Sequence, residues 1–350
     1  MYFLEFAGED DRFAAHEAAS AAADVERIAP GLAVATAVDP DRVRGLAYTH
    51  RASELLGRTD ADLESARVLL EAAGIDREGS VAVRATDVHG ATGISTGRAE
   101  RELGQVLVDR GFDVDLEEPD HVLRAAFSVG VLEGDQESSD GAGTDPADVC
   151  ALGWLTSESV RDFGSRAPTD KPFFQPGSMD PLLARAIANV AGARPGGTVL
   201  DPMCGTGGVL VEAGLVGADV IGTDAQAKMA AGAAENLSHF LDREDPSPVG
   251  VVRGNWHTAL GDGTQLPLRD DAVDAVVFDA PYGRQSKIET HRLEDLVSGA
   301  LAEARRVAER AVVVADRLWI EEATAAGWEL DATFERRVHR SLTRYVLVLE

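Results

Sequence analysis

Four residues at the end of an apolar run, Asp279, Ala280, Pro281 and Tyr282 in "VVFDAPYG", combine an acid, a rigid turn and an aromatic ring. That combination suits the activation of an amine on a flat heterocycle. An exocyclic amine on a base is a poor nucleophile, because its lone pair is delocalised into the ring. A carboxylate that accepts one N–H, with a backbone carbonyl accepting the other, aims that lone pair outward. Pro281 fixes φ and removes a donor, Tyr282 offers a face on which a base taken out of its helix can stack, and Gly283 permits a sharp turn. By itself, Asp-x-Pro-Tyr is also a common way to end a strand.

A second group precedes it. In "VLDPMCGTGG" Asp201 ends a strand, and the turn Cys204-Gly205-Thr206-Gly207 leads through Gly208 into a helix. Glycines there let backbone approach a ligand, and a helix start offers free N–H groups to an anion. One strand later "IGTDA" places Asp224, followed by Ala225, where an acid can reach ribose hydroxyls. In "GDGTQLPL" Asp262 and Gly263 lie in the next loop, with Asp262 placed to accept from an adenine amino group. An adenosine-bearing cofactor with a carboxylate and an ammonium fits this set, with Asp201 toward the ammonium and the glycine turn toward the carboxylate. The interval from Gly205 to Asp224 also comes close to that of a dinucleotide site, so spacing alone leaves NAD open. The Asp279 motif at the same strand edge points to S-adenosylmethionine.

The elements that must position these residues change character along the chain. From Met179 onward strands alternate with helices, as in a parallel, doubly wound sheet that binds ligands at its strand carboxyl ends. Its strands are expected at 198–201, 219–225, 249–255, 273–279 and 310–316, and 328–350 closes the chain as an antiparallel hairpin. The first half reads as α+β. There, residues 2–7 are an edge strand, 11–28 a helix, 53–74 helical, 80–86 a strand and 97–112 a helix. Residues 133–148 are acidic and of low complexity, which predicts a solvated loop. The proline-rich "SRAPTDKPFFQPGS" separates an N-terminal region, 1–165, from a C-terminal domain, 166–350.

Taken together, these stretches resemble a known family. "DAPY" is similar to the [DN]-x-P-[YF] motif of methyltransferases that modify amino groups of bases. "RAPTDKPFFQPGSMDPLLARAIANVAG", "LDPMCGTGG" and "HRSLTRYVLVL" resemble the archaeal tRNA (guanine-10-N2) methyltransferases. "VAVRAT", "GRAERELGQVL" and "VDLEEPDHVL" resemble a THUMP domain, an RNA-binding module often preceded by a ferredoxin-like segment. The resemblance implies a ferredoxin-like plus THUMP region ahead of a Rossmann-like methyltransferase domain with a terminal hairpin. It further implies methyl transfer from S-adenosylmethionine to N2 of a guanosine in tRNA, at position 10. By the same resemblance Asp279 and Tyr282 are catalytic, Asp201, Asp224 and Asp262 line the cofactor, and Phe174 and Ser178 close its pocket. A related enzyme acting elsewhere on RNA, a DNA adenine-N6 methyltransferase and a non-catalytic RNA-binding protein remain alternatives.

Bulk properties set the surroundings. The chain has 350 residues, of which 45% are hydrophobic, and a net charge of −27, with Lys171, Lys228 and Lys287 as its three lysines among 33 basic residues. A lysine-poor acidic surface suits concentrated salt, where in ~1 M electrolyte the Debye length is about 3 Å and net charge no longer decides which partners approach. RNA contacts would then fall to individual arginines such as Arg84, Arg98, Arg101 and Arg284. Cys150 and Cys204 make no disulfide framework, and His257, His291 and His339 share no metal spacing. No membrane span or signal peptide is expected, which leads to a cytoplasmic monomer.

Overall fold

The computed structural model describes residues 1–8, 10–132, 146–281, 290–339 and 342–350. Tyr282, Arg284 and residues 133–145 of the acidic segment lie outside the described residues. The chain divides into two compact units, Met1–Ser159 and Val160–Glu350. The division falls ahead of the 165/166 boundary expected from sequence, because Phe163 and Arg166 are buried within the second unit and Arg166 is bound there to Glu212.

The first unit runs β1 (Tyr2–Phe6), α1 (Asp11–Ala18), β2 (Ala22–Ala23), β3 (Glu26–Ala29), β4 (Leu32–Ala35), β5 (Ala37–Val38) and α2 (Pro40–Val43). It continues with β6 (Thr49–Thr59), α3 (Leu63–Ala72), β7 (Ser80–Asp87), α4 (Thr96–Asp109), β8 (Asp113–Val114), β9 (His121–Gly130) and β10 (Ala147–Glu158). Among the described residues these build a sheet in the order β3-β4-β1-β6-β10-β9-β7-β8, beside the small pair β2-β5. Helices α3 and α4 cover it with an apolar core that includes Leu70, Leu103, Leu107, Phe127 and Leu152.

Several local expectations are corrected here. Strand β1 is internal, held between β4 and β6. Its Glu5, which reads as an edge-strand acid, is buried, and both carboxylate oxygens accept from Arg124 at 2.8 and 2.7 Å. The alanine-rich helix ends at Ala18, and residues beyond it form β2 and β3 around Asp24, whose φ is +52°. Residues 53–59 belong to β6 rather than to a helix, since pairing with both β1 and β10 outweighs their helical spacing. The helix proper begins after Asp62, whose side chain caps Ser65 N. Ala147 and Asp148, read as loop, are the first residues of β10.

The second unit holds α5 (Pro181–Val190), β11 (Thr198–Asp201), α6 (Gly208–Leu215), β12 (Asp219–Asp224), α7 (Ala227–Leu241), β13 (Trp256–Leu260) and β14 (Ala275–Asp279). After these come α8 (Thr290–Val307), β15 (Ala311–Ala315), α9 (Ile320–Ala325), β16 (Leu330–His339) and β17 (Leu342–Leu349). Its sheet order is β13-β12-β11-β14-β15-β17-β16. The first five strands are parallel, and β17 joins β15 antiparallel as half of the expected terminal hairpin. The third strand is Trp256–Leu260, not residues 249–255. Gly254 brings its Cα so close to the carbonyl of Ala218 that a Cβ there would sit 1.7 Å away, and Val252 is 83% exposed. Strand β14 is almost wholly buried, as an apolar run covered on both faces must be. Helix α8, with Val297 and Leu301, and the residues Trp319 and Trp328 pack into the same apolar core. Among the described residues no helix is long and apolar enough to cross a membrane.

The fold is thus mixed α/β, with a sheet-and-helix N-terminal unit and a Rossmann-like C-terminal sheet. In that sheet β11 lies between β12 and β14, so chain direction across the sheet reverses between β11 and β14. This reversal opens a crevice at the strand carboxyl ends, where Asp201 and Asp279 both stand.

Candidate functional site

Two strand ends frame the crevice. Leu200 pairs with Val276 in the parallel ladder, so Asp201 ends β11 while β14 runs on to Asp279. A cleft beside them is lined by residues that include Ser178, Asp201, Cys204, Gly205, Thr206, Gly208 and Asp279, together with Gln175, Gly177 and Met229.

Asp201 is the buried acid of the pair, 4% exposed, and its Oδ1 accepts from Met203 N at 3.0 Å. Burial above all pushes its carboxyl well above the ordinary range, and the charges of Asp279 and Asp224 push it further the same way, against the opposing Met203 bond. An acid in that state gains from a cation brought next to it. Nothing else in the turn competes for that role, as Cys204 is buried and burial raises its thiol too.

The glycine turn is locked from below. Asp224 Oδ2 accepts from Gly205 N at 3.0 Å and its Oδ1 from Gln226 N at 2.8 Å, so this acid holds the turn to the start of α7. Cys204 N donates to Thr223 O, and Gly207 N to Cys204 O. Gly205 and Gly207 have φ of +52° and +71°, values that an L side chain adopts only with strain. Gly207 also leaves no room, since its Cβ would meet that of Ala233 at 3.3 Å. The absence of side chains there exposes the backbone that a carboxylate or ribose would approach.

The connector ahead of α5 forms the cleft's other wall. Ser178 Oγ donates to Gln175 O at 2.7 Å and lies 3.3 Å from Thr206 Oγ1. Asn236, fully buried in α7, ties the two walls together. Its Nδ2 donates to Phe173 O and to Thr206 O, each at 2.9 Å, and its Oδ1 accepts from Phe173 N. Sequence reading missed this residue, although an amide on the apolar face Ala233–Leu237–Phe240 signals a hydrogen-bonding duty. Arg344 of β17 was missed as well. It is nearly buried, with Nη2 at 3.5 Å from Asp279 Oδ2 and 3.0 Å from Gly177 O.

Beneath α6 lies a cluster of buried charge. Glu212 accepts from Arg166 Nε at 2.6 Å and pairs with Arg185 at 2.8 Å, while Arg166 also bonds Asp162. The Phe163 ring is flanked by the guanidinium groups of Arg161, Arg166 and Arg185. Lys171, 6% exposed, stands at the edge of this cluster.

Other expected residues sit around the cleft without lining it. Phe174 is 41% exposed, and its neighbour Phe173 is the ring that turns inward onto Gly232. Ala225 is exposed beyond β12. Asp262 is exposed and its Oδ1 accepts from Thr264 N and Oγ1, whereas Gly263 is buried against Pro202 O and Met203. Ala280 is buried and its N–H donates to Val314 O at 2.7 Å, which anchors the Asp279 loop to β15. Pro281 is half-buried. In the first unit Arg98 pairs with Glu102, and Arg84 donates to Leu116 O.

The residues that converge on the crevice fit an adenosylated amino acid, with a buried acid seeking a cation, exposed backbone in a glycine turn, and an acid and proline at the next strand end. Residues 168–346 match the UPF0020 family model, described as an RMKL-like methyltransferase domain. Over 87% of this chain and 83% of its own length, the tRNA (guanine(10)-N2)-dimethyltransferase of Methanothermobacter thermautotrophicus is 33% identical. The protein of the same name from Methanocaldococcus jannaschii is 34% identical over 60% of this chain and 55% of its own. The solved structure of TrmN from Thermus thermophilus covers 100% of this chain and 99% of its own at 22% identity, with a TM-score of 0.47.

Proposed function

The chain belongs to the family of tRNA (guanine(10)-N2)-dimethyltransferases, with its RMKL-like methyltransferase domain over residues 168–346, and from that membership we propose that guanosine 10 of tRNA is its target. It is an S-adenosylmethionine-dependent enzyme that methylates the N2 amine of guanine in tRNA. The observation that carries the reading is the placement of Asp201 and Asp279 on the two strands that flank the chain reversal.

When bound, S-adenosylmethionine supplies a methyl group on a sulfonium centre that an amine nitrogen can take. Asp201 would hold the cofactor's ammonium, and the turn Cys204–Gly207 would meet it with backbone. Asp279 Oδ2 would accept one N–H of the guanine N2 amine and the Ala280 carbonyl the other, which turns the nitrogen lone pair toward the cleft. Partial exposure of the Asp279 side chain, 27%, leaves a route to solvent for the proton the amine must lose. Tyr282 would stack the extruded base, and one or two methyl groups would follow from whether the pocket admits a methylated amine.

Concentrated salt as the working medium belongs to the proposal, supported by the charge of −27 and the scarcity of lysine, and a single-chain enzyme in a cytoplasmic setting completes it. The test is incubation with labelled S-adenosylmethionine and unmodified tRNA at high salt, followed by nucleoside analysis. N2-methylguanosine or N2,N2-dimethylguanosine that disappears when guanosine 10 is replaced is the expected product. N6-methyladenosine, or label on DNA alone, would overturn the reading.

A further inference from the structure

We propose that the ammonium group of Lys171 is the anchor for the carboxylate of the cofactor's amino-acid moiety, at the N-terminus of α6. This rests on the reading of the cleft as the S-adenosylmethionine site and names the residue that recognises one end of that molecule.

Three observations on different parts of the molecule converge there. Lys171 is 94% buried by its 6% exposure, yet its Nζ makes no hydrogen bond or ion pair with any described residue. That leaves the three donors of an almost enclosed ammonium able to take an anion. Next, the acids nearby are already engaged. Glu212 holds Arg166 and Arg185, and Asp162 holds Arg166. Asp180, the other acid acting on Lys171, makes no ion pair with it among the described residues and caps Leu182 N. Finally, Nζ sits over Gly208, 3.2 Å from where a Cβ would stand, and Gly208 lines the cleft beside Ser178, Asp201 and Thr206.

Gly208 is also the first residue of α6, whose N-cap is Gly207 in the left-handed region and so contributes no capping side chain. The leading N–H groups of the helix therefore lack a side-chain acceptor, and the helix dipole adds partial positive charge at the same point. A lysine and a helix start facing one spot select an anion. A side chain at position 208 would press on Nζ, so the glycine leaves the ammonium its place beside the helix start. Burial and, less strongly, the charge of Arg166 lower the Lys171 pKa, while Glu212 and Asp180 oppose that drop. A carboxylate arriving beside it would act in the same direction as Glu212. In a chain whose basic residues are nearly all arginine, a lysine here supplies a compact point charge.

The test compares Lys171→Met and Lys171→Arg with the unaltered protein by calorimetric titration with S-adenosylmethionine and with its decarboxylated analogue. Loss of a charged hydrogen bond predicts roughly tenfold to a hundredfold weaker binding of S-adenosylmethionine by Lys171→Met. The decarboxylated analogue should bind Lys171→Met and the unaltered protein alike, and Lys171→Arg should recover part of the discrimination. Thermal melting of both variants reports folding independently. Equal weakening of both ligands would make Lys171 a packing residue, and no weakening of either would exclude it; each result overturns the proposal. A loss of tRNA affinity with cofactor binding intact would overturn it in favour of a phosphate contact. Failure of the unaltered protein to bind S-adenosylmethionine would instead sink the reading of the cleft itself, and the proposal with it.

Discussion

Arg344 reaches from the terminal hairpin to the end of β14, where its Nη2 lies 3.5 Å from Asp279 Oδ2 while donating to the carbonyl of Gly177. One guanidinium thereby joins the acid at the proposed amine site to the connector that walls the cofactor cleft. Arg344→Gln should lower kcat by roughly a hundredfold, the scale for a displaced reacting group. Arg344→Lys should restore part of it. Steady-state kinetics with tRNA checks this; unchanged kcat in the Gln variant would reduce the contact to a structural one.

Asp279 itself should separate chemistry from cofactor binding. Asp279→Ala is expected to lose about a hundredfold or more in kcat, as when a positioned catalytic hydrogen-bonding group is removed. Its affinity for S-adenosylmethionine should stay close to that of the unaltered protein. Equal loss in calorimetry and in methyl transfer would mean that Asp279 holds the fold rather than the amine.

Asp201 predicts an opposition between stability and binding. Its carboxyl is raised in the folded protein relative to its unfolded value, so the folded state binds more protons between the two. Stability from this group is therefore greatest below the unfolded pKa and declines as pH rises toward the folded one. Asp201→Asn keeps the acceptor for Met203 N and removes the charge. It should melt higher than the unaltered ligand-free protein at neutral pH, equal it in acid, and bind S-adenosylmethionine more weakly. A lower melting temperature at neutral pH would contradict the cost assigned to burial.

Asn236 makes a prediction of the opposite kind. Replacement by Ala removes three hydrogen bonds and leaves Phe173 and Thr206 backbone groups to find other partners. Stability should fall by about 1–3 kcal/mol, measured by urea unfolding, and cofactor affinity should fall with it because both walls of the cleft loosen. A variant as stable as the parent would show that water replaces the amide.

How far these features could be read from sequence follows the range of the interactions involved. Asp201 and Asp279 could be placed from sequence because each ends an apolar run with a proline close behind, and Asp224 because it stands at the end of the strand in "IGTDA". The role of Asp224 was harder to read: that it grips Gly205 N depends on two strand ends lying side by side. Lys171, Asn236 and Arg344 act across 37 to 167 positions of chain, judged by Gly208, Phe173 and Gly177 as their neighbours, and no local pattern encodes that. The same limit misplaced the third strand and turned residues 53–59 into helix. Their spacing favours one element, and pairing with β1 and β10 decides for another.

The charge cluster under α6 has a consequence for how this fold responds to salt. Mobile ions weaken attraction between exposed groups within a few ångströms at molar concentration, so an outer acidic shell ceases to act at a distance. Arg166, Arg185 and Glu212 are each nearly sealed from solvent, and ions that cannot enter cannot shield them. The scaffold under the cofactor cleft is thus insulated from the electrolyte outside. Added salt should therefore weaken ion pairs at the surface while leaving this enclosed cluster intact.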